Sequence, residues 1–328
     1  MPVEAQAART CAYHAPTWLR GGHAQTIYPY FLRRPSVPFR RERVITADGD
    51  FWDFDWLDAK AIDGAPLVVL FHGLEGGSAS HYARALMELL AERGWRGVIP
   101  HFRGCGGEPN KLPRAYHSGD HEEVGGMLAA VRERAPGTPL YAVGVSLGGS
   151  ALLNWLARHR DAAARLVRGA AAVSAPLDLA AAGAAIDRGL NRIYTRHFLS
   201  TLKPKSIAMA RRFPGRISED AVRQVRTMWA FDEAVTAPLH GFAGADDYWN
   251  RASSKPLLRD VRVPTLVLNA RNDPFIPAGS LPRQDQVSEA ILLEQPAHGG
   301  HAGFASGPFP GHVRWLPRRL VEFFESGR

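Results

Sequence analysis

Short apolar segments, each bounded by glycine, serine or proline, recur along this 328-residue chain and alternate with helical patterns. Continuous apolar runs of this kind are typical of strands buried on both faces, as in a parallel sheet. Strand, helix, strand in this order predicts right-handed crossovers and a doubly wound, mostly parallel α/β sheet. The four clearest segments cover residues 66–71, 97–102, 140–145 and 169–173.

The remaining elements complete this α/β pattern. Residues 43–46 and 51–57, on either side of Ala-Asp-Gly, predict an opening antiparallel hairpin. Residues 265–268 and 291–293 predict two closing strands, which gives about eight strands in the sheet. Helical patterns lie between and after the strands, at residues 78–93, 121–134, 147–158 and 317–324.

We interpret residues 1–328 as a single domain, because no internal repeat, low-complexity block or Ser/Gly linker divides the chain. Residues 1–40 precede the alternating pattern and form an N-terminal extension. Residues 177–260 interrupt that pattern, since they are rich in alanine, arginine and aromatic residues and mostly helical in character. A helical cap or lid inserted over the active site is therefore expected.

The composition is that of a soluble globular protein, with 45% hydrophobic and 22% charged residues. Its two cysteines, Cys11 and Cys105, exclude a disulfide framework and fit a reducing compartment. The first residues lack the basic start and apolar core of a signal peptide, and no stretch has the length needed to span a bilayer. We expect a cytoplasmic protein without a transmembrane segment.

The formal net charge of +8 raises the question of a nucleic-acid partner. Basic residues are spread along the chain, and the densest cluster, residues 33–43, is short and lies before the first clear strand. No recognisable nucleic-acid module surrounds this cluster. No nucleic-acid partner is therefore expected.

The segment from Gly144 to Gly148 carries a candidate nucleophile, Ser146. The serine falls where the predicted strand 140–145 runs directly into a predicted helix, which is the context of the nucleophile elbow in α/β-hydrolases. Glycines two residues away on either side avoid collisions in so tight a turn. The alternative is a serine that only caps the following helix, but capping does not require the paired glycines.

Acyl transfer also needs hydrogen-bond donors for the developing oxyanion. The Gly-rich segment 72–77 follows the third predicted strand, where this fold places one oxyanion amide. The predicted donors are the backbone N–H groups of Leu74 and Leu147. Taken by itself, the segment could equally be a plain turn before a helix.

The chain order nucleophile, acid, histidine indicates where the other two catalytic residues should lie. Asp273, just after the predicted strand 265–268, is favoured as the acid, and Asp178, after strand 169–173, is the rival. Either could instead be a helix cap or a turn former. The base is expected to be His298 or His301, on the loop after the last strand.

Neither a metal nor a cofactor is expected. The thirteen histidines include the close pair His298 and His301, but no cysteine or carboxylate cluster completes a recognised ligand spacing around it. The Gly-rich residues 104–107 lack the features of a phosphate-binding loop or a dinucleotide fingerprint.

Several motifs together resemble one family, the YheT-like α/β-hydrolases, which are bacterial predicted carboxylesterases related to the eukaryotic ABHD esterases and phospholipases. The resemblance runs over nearly the whole chain. Its motifs are Trp-Leu-Arg-Gly-Gly-His-Ala-Gln-Thr (18–26), His-Gly-Leu-Glu-Gly-Gly (72–77), Phe-Arg-Gly-Cys (102–105), Tyr-His-Ser-Gly (116–119), Gly-Val-Ser-Leu-Gly-Gly (144–149), Pro-Leu-His-Gly-Phe (238–242) and Gly-Gly-His-Ala-Gly-Phe (299–304).

The resemblance implies a catalytic triad of Ser146, Asp273 and His301, because the Gly-Gly-His-x-Gly-Phe pattern falls on His301 and not on His298. It also implies hydrolysis of small-molecule carboxylic esters with short to medium acyl chains, without a cofactor. Two alternatives remain open at this stage. One is a lipase or phospholipase that cleaves lipid esters at a membrane surface, and the other is a ligand-binding homologue without turnover.

Overall fold

The computed structural model describes residues 12–32 and 35–327. The expected N-terminal extension is therefore described only in part, and Cys11 and residues 33–34 of the basic cluster lie outside the described residues. The strands are β1 (Phe39–Ile45), β2 (Phe51–Leu57), β3 (Leu67–Phe71), β4 (Arg96–Pro100), β5 (Leu140–Val145), β6 (Gly169–Val173), β7 (Thr265–Leu268) and β8 (Ile291–Glu294).

These strands form one eight-stranded sheet in the order β1-β2-β4-β3-β5-β6-β7-β8. The hairpin β1–β2 is antiparallel, and β2 also pairs antiparallel with β4. Every other neighbouring pair is parallel. The order reverses around β3 and β4, as in a doubly wound sheet, so the predicted mostly parallel α/β architecture is confirmed.

Helices surround this sheet and fill the long connection between β6 and β7. Within the described residues they are α1 (Gly22–Ile27), α2 (His81–Glu92), α3 (His121–Arg134), α4 (Leu147–Leu166), α5 (Leu179–Ile186), α6 (Arg192–Arg212), α7 (Glu219–Gln224), α8 (Met228–Phe231), α9 (Ala237–His240), α10 (Ala245–Ala252) and α11 (Trp315–Glu325). Short 3-10 turns cover Tyr28–Phe31, Gly189–Asn191, Lys255–Asp260, Ala278–Ser280 and Gln284–Gln286, and a π-helical turn covers Asp232–Thr236.

Two apolar cores lie on opposite faces of the sheet. Successive side chains of β3 contribute alternately to one core and to the other. Leu67, Val69 and Phe71 pack with α3 and α4 on one face. Val68 and Leu70 pack with α2 and α11 on the other. All five side chains are at most 1% exposed. Burial on both faces explains why the central strands are continuous apolar runs.

Residues 177–260, called the insertion below, carry α5 to α10 between β6 and β7. They have their own apolar clusters, of which the larger includes Leu199, Leu202, Val222 and Phe231. No helix of the described residues combines the length and apolar character needed to cross a bilayer. The predicted helical character of the insertion is present, while its role as a cap or lid stays a prediction.

Candidate active site

Ser146 lies on the sharp turn between β5 and α4, with φ +55° and ψ −122°. Non-glycine residues in such conformations store about 1–3 kcal/mol of strain and cluster at functional sites. The flanking glycines allow the turn: a Cβ on Gly144 would lie 2.4 Å from Gly148 O, and one on Gly148 would lie 2.5 Å from Phe71 O. This geometry matches a nucleophile elbow.

His301, on the loop after β8, lies between Ser146 and Asp273. Its Nε2 is 2.9 Å from Ser146 Oγ, and its Nδ1 is 2.8 Å from Asp273 Oδ2. The Asp273 side chain, just after β7, is fully buried, and its Oδ1 accepts the N–H of Phe275 at 2.8 Å. Because the carboxylate accepts from Nδ1–H, Nε2 is free to accept the serine proton.

The structure thus brings the three side chains implied by the resemblance into one hydrogen-bonded chain, while their catalytic roles stay a prediction. It places the two rivals elsewhere. Asp178 is the N-cap of α5, where Oδ1 accepts the N–H of Ala181 at 3.0 Å. His298 is exposed, and its Nδ1 lies 3.4 Å from the amide nitrogen of Asn272.

The predicted oxyanion donors, Leu74 and Leu147, both line the cavity beside Ser146. Within the described residues neither backbone N–H has a protein acceptor. The amides next to Leu74 are occupied, because Gly73 N–H donates to Tyr82 Oη at 2.9 Å and Glu75 N–H donates to Tyr116 Oη at 2.7 Å. Two unpaired amides of residues that line the cavity beside Ser146 could receive an oxyanion.

Buried aromatic groups hold this loop in place. Burial raises the pKa of Tyr82 to about 12 and that of Tyr116 well above its usual value, so both phenols are neutral at pH 7. Burial lowers the pKa of His72 to about 3. The neutral His72 donates from Nδ1 to Gly73 O and accepts Phe102 N–H at Nε2. The amide of Leu74 is therefore presented from a rigid loop.

The short helix α1 supports the histidine loop, a role that the sequence reasoning missed. Gln25 is fully buried, and its Oε1 accepts Gly299 N–H at 2.8 Å and an amide proton of Asn272 at 2.9 Å. Thr26 Oγ1 accepts His301 N–H at 2.9 Å. The only sequence signal was the motif at 18–26, which has no spacing relation to residue 301.

Replacing Gln25 by alanine should lower kcat by about 10- to 100-fold with little change in KM. The substitution leaves the buried Gly299 N–H without an acceptor, a cost of about 1–3 kcal/mol that loosens the histidine loop. Steady-state kinetics beside thermal unfolding check this, with the exposed Gln224→Ala as the matched control. A kcat within twofold of wild type would contradict the supporting role of Gln25.

A cavity of about 560 Å³ opens at Ser146 and His301 and extends beneath the insertion. Its walls are mostly apolar and come from α5, α6, α8 and α10, together with residues 103–118. The side chains include Leu179, Ile186, Leu202, Phe231 and Trp249. Such a volume with apolar walls and few polar groups is typical of a small-molecule site.

Arg103 anchors the part of the wall formed by residues 103–118. Its buried guanidinium binds Asp48 at 2.9 Å, Asp50 at 3.1 Å and Glu123 at 2.9 Å. Asp50 in turn accepts Lys111 N–H at 2.8 Å. Removing one partner of a buried charge network is strongly destabilising, so Arg103 fixes this wall rather than binding ligand. Sequence reasoning missed it because its partners are dispersed along the chain.

An ion pair connects the insertion to the loop that carries Leu74. Lys205 of α6 lies 2.8 Å from Glu75 Oε2, and Glu75 also accepts from Tyr116 Oη at 3.0 Å. Glu75 has φ +55° and directly follows Leu74. The position of α6 is therefore mechanically linked to the residue after the proposed oxyanion amide.

Comparison with known proteins identifies the class of this fold. The family model described as "alpha/beta hydrolase fold" matches residues 66–308. Est1E from Butyrivibrio proteoclasticus, solved with ferulic acid bound, superposes with a TM-score of 0.54 at 17% identity, covering 87% of this chain and 98% of that chain. The chain belongs to the α/β-hydrolase family.

Within this family the chain is YheT-like. The Escherichia coli (strain K12) protein named "Putative esterase YheT" is 37% identical over 309 residues, covering 93% of this chain and 90% of that protein. Phospholipase ABHD3 of Mus musculus is 31% identical over 326 residues, covering 97% of this chain and 79% of that protein. The predicted resemblance is confirmed.

Proposed function

We propose that this protein is a serine esterase that hydrolyses carboxylic esters with short to medium acyl chains. The observation that carries the proposal is the hydrogen-bonded chain from Asp273 through His301 to Ser146, at 2.8 and 2.9 Å, at the opening of an apolar cavity. The esterase and phospholipase names of the two relatives support ester hydrolysis as the general chemistry.

In the acylation step, Ser146 Oγ attacks the ester carbonyl carbon as His301 Nε2 takes the hydroxyl proton. Asp273 holds the imidazole in the required tautomer and stabilises the imidazolium. The N–H groups of Leu74 and Leu147 stabilise the oxyanion of the tetrahedral intermediate. As the C–O bond to the alcohol breaks, His301 gives the proton to the leaving oxygen, and an acyl-enzyme remains.

In the deacylation step, water attacks the acyl carbon and His301 accepts its proton. Collapse of the second tetrahedral intermediate breaks the bond to Ser146 Oγ, which takes the proton back. The carboxylic acid leaves and the enzyme is regenerated. Every proton moves between the water, the alcohol and side chains already in contact, so the proposed reaction requires no cofactor.

The cavity argues for a substrate with an apolar acyl or alcohol part. Apolar walls contribute to binding by about 25 cal/mol for each Å² of apolar surface removed from water, so affinity should rise with chain length until the cavity is full. The test is a series of p-nitrophenyl esters from acetate to palmitate. We expect a maximum of kcat/KM at short to medium chains, and no turnover of any ester would overturn the proposal.

Narrowing the cavity should move the maximum of kcat/KM to esters with shorter acyl chains. Ala182 of α5 is buried and lines the cavity. Ala182→Leu should reduce kcat/KM for the longest good substrate by about tenfold or more, a loss of about 1.4 kcal/mol of binding, while sparing the acetate. Ala180→Leu, exposed on the same helix, is the matched control. Equal effects of the two variants, or an unchanged profile, would contradict binding of the chain along α5.

A further inference from the structure

Two faces of helix α6 line two different concavities. Its inner face lines the substrate cavity with Phe198, Leu202, Lys205 and Met209, spaced three or four residues apart. The outer face carries Arg192, Arg196 and Lys203, also at helical spacing. The proposed esterase activity uses only the inner face.

The outer face borders an open concavity of about 460 Å³. Four cations line it, Arg192, Arg196, Lys203 and Arg226, and no carboxylate does so within the described part of the chain. The Arg192 and Arg196 side chains are exposed, and within the described residues neither forms a hydrogen bond or an ion pair. Lys203 and Arg226 donate to the carbonyl oxygens of Arg223 and Val225, which are neutral acceptors.

Within the described residues, the four cations of this concavity therefore form no ion pair with a carboxylate. Residues 188–218 contain no aspartate or glutamate, and their cations are Arg188, Arg192, Arg196, Lys203, Lys205, Arg211, Arg212 and Arg216. Glu219, which follows them, is engaged by Arg211 and Arg223. Burial, together with the charges of Arg226 and Arg223, lowers the pKa of Lys203, as expected where like charges gather without counter-charges.

Large apolar side chains project from the same corner of the insertion. Leu190 is 76% exposed, Ile193 is 51% exposed and Trp229 is 42% exposed. Asp187 holds this corner together, because its carboxylate accepts the N–H groups of Met228 and Trp229 and the hydroxyl proton of Thr195. Exposed apolar groups beside unpaired arginines are the combination that inserts into a lipid headgroup layer.

We propose that the outer face of α6, with Leu190 and Ile193 at its start, docks on an anionic lipid surface. The arginines and lysines bind lipid phosphates, while the two aliphatic side chains enter the boundary between headgroups and acyl chains. A site for a small free anion would account for the cations but would leave the exposed apolar groups without a role. Docking would place lipid against the helix whose inner face lines the cavity.

The proposal goes beyond ester hydrolysis and does not depend on it, since binding can be measured on Ser146→Ala protein. Flotation with phosphatidylcholine vesicles, with and without about one-third phosphatidylglycerol, measures partitioning at low and high salt. We expect binding to the anionic vesicles that weakens with salt. Absence of binding, or equal binding to both vesicle types, would overturn the proposal.

Two variants localise the surface. Each cation near an anionic membrane raises partitioning by about fivefold, so Arg192→Gln/Arg196→Gln should weaken it about 25-fold. Ile193→Ser should also weaken partitioning to the vesicles. The size of this loss should be the same at low and at high salt. The control is Arg165→Gln/Arg168→Gln, which removes the same charge from exposed positions where α4 ends and β6 begins.

Arg165 and Arg168 lie at the amino-terminal edge of the parallel strands, whereas the insertion follows a carboxyl-terminal edge. A control variant within twofold of wild type supports the proposal. Equal losses in the two double variants would mean that net charge alone drives binding, which would overturn it. Displacement from vesicles by inorganic phosphate, but not by chloride of equal ionic strength, would identify a free-anion site and would also overturn lipid docking.

Discussion

Replacing Ser146 by alanine is expected to reduce kcat/KM for p-nitrophenyl esters by about 10⁴-fold or more, because the bond to the acyl group cannot form. Residual turnover would come from the oxyanion amides and substrate binding alone. A fluorophosphonate probe provides the second measurement. It should label the wild-type protein stoichiometrically and leave Ser146→Ala unlabelled, since the probe captures the same activated hydroxyl.

The matched control is Ser150→Ala, one helical turn further along α4. Ser150 is buried, and its Oγ donates to Pro176 O at 2.8 Å without contacting His301. We expect this variant to keep its labelling and most of its activity, at a cost in stability of about 1 kcal/mol. An unlabelled wild-type protein, or a labelled Ser146→Ala protein, would refute Ser146 as the nucleophile.

Replacing Asp273 by asparagine is expected to lower kcat by about 10⁴-fold, which is the effect of the same change in the Ser-His-Asp triad of chymotrypsin-like proteases. The carboxamide nitrogen would donate to His301 Nδ1 and move the imidazole proton to Nε2. In that tautomer Nε2 cannot accept the proton of Ser146. Single-turnover kinetics should therefore show slow acylation with little change in substrate binding.

Asp178→Asn separates the favoured acid from its rival. Asp178 caps α5 by accepting Ala181 N–H, and asparagine caps helices about as well as aspartate. Activity should therefore stay within about threefold of wild type. Near-normal turnover by Asp273→Asn together with a large loss in Asp178→Asn would reverse the assignment.

The sheet was accessible to sequence reasoning because its central strands are buried on both faces. Residues 140–145, 169–173 and 265–268 are strands with the predicted bounds. The helix after Ser146 is less well predicted, since it continues to Leu166 beyond the predicted residue 158. Arg160 has φ +42° and ψ −115° inside it, a local kink that no hydrophobic periodicity reveals.

The site was predictable where local chemistry defines it and not where tertiary contacts do. Ser146 could be proposed from the sequence because the elbow requires glycines at fixed positions, and His301 and Asp273 could be proposed from chain order and a family motif. The catalytic roles of all three stay predictions. The support from Gln25 and Arg103 could not be found, because hydrogen-bond partners far apart in sequence leave no periodic signal. The cap role of residues 177–260 and a cytoplasmic location stay predictions.

The basic residues are visible in the sequence, but the surface that they form on α6 is not. The sequence pattern singles out only the short cluster at residues 33–43, because the other cations are dispersed along the chain. Arg192, Arg196 and Lys203 are spaced along α6, so they form one surface only when the helix places them on the same face. The sequence does carry one signal for this surface. Residues 188–218 contain no aspartate or glutamate.

The contact between Gln25 and Gly299 joins positions 274 residues apart, and that between His301 and Ser146 joins positions 155 apart. Loops of this length close late, because their entropic cost must be met before the contact forms. During synthesis on the ribosome, Ser146 is therefore added to the chain 155 residues before His301. Under the proposed mechanism, a growing chain therefore cannot hydrolyse esters until the segment around His301 has been synthesised and has packed against α1.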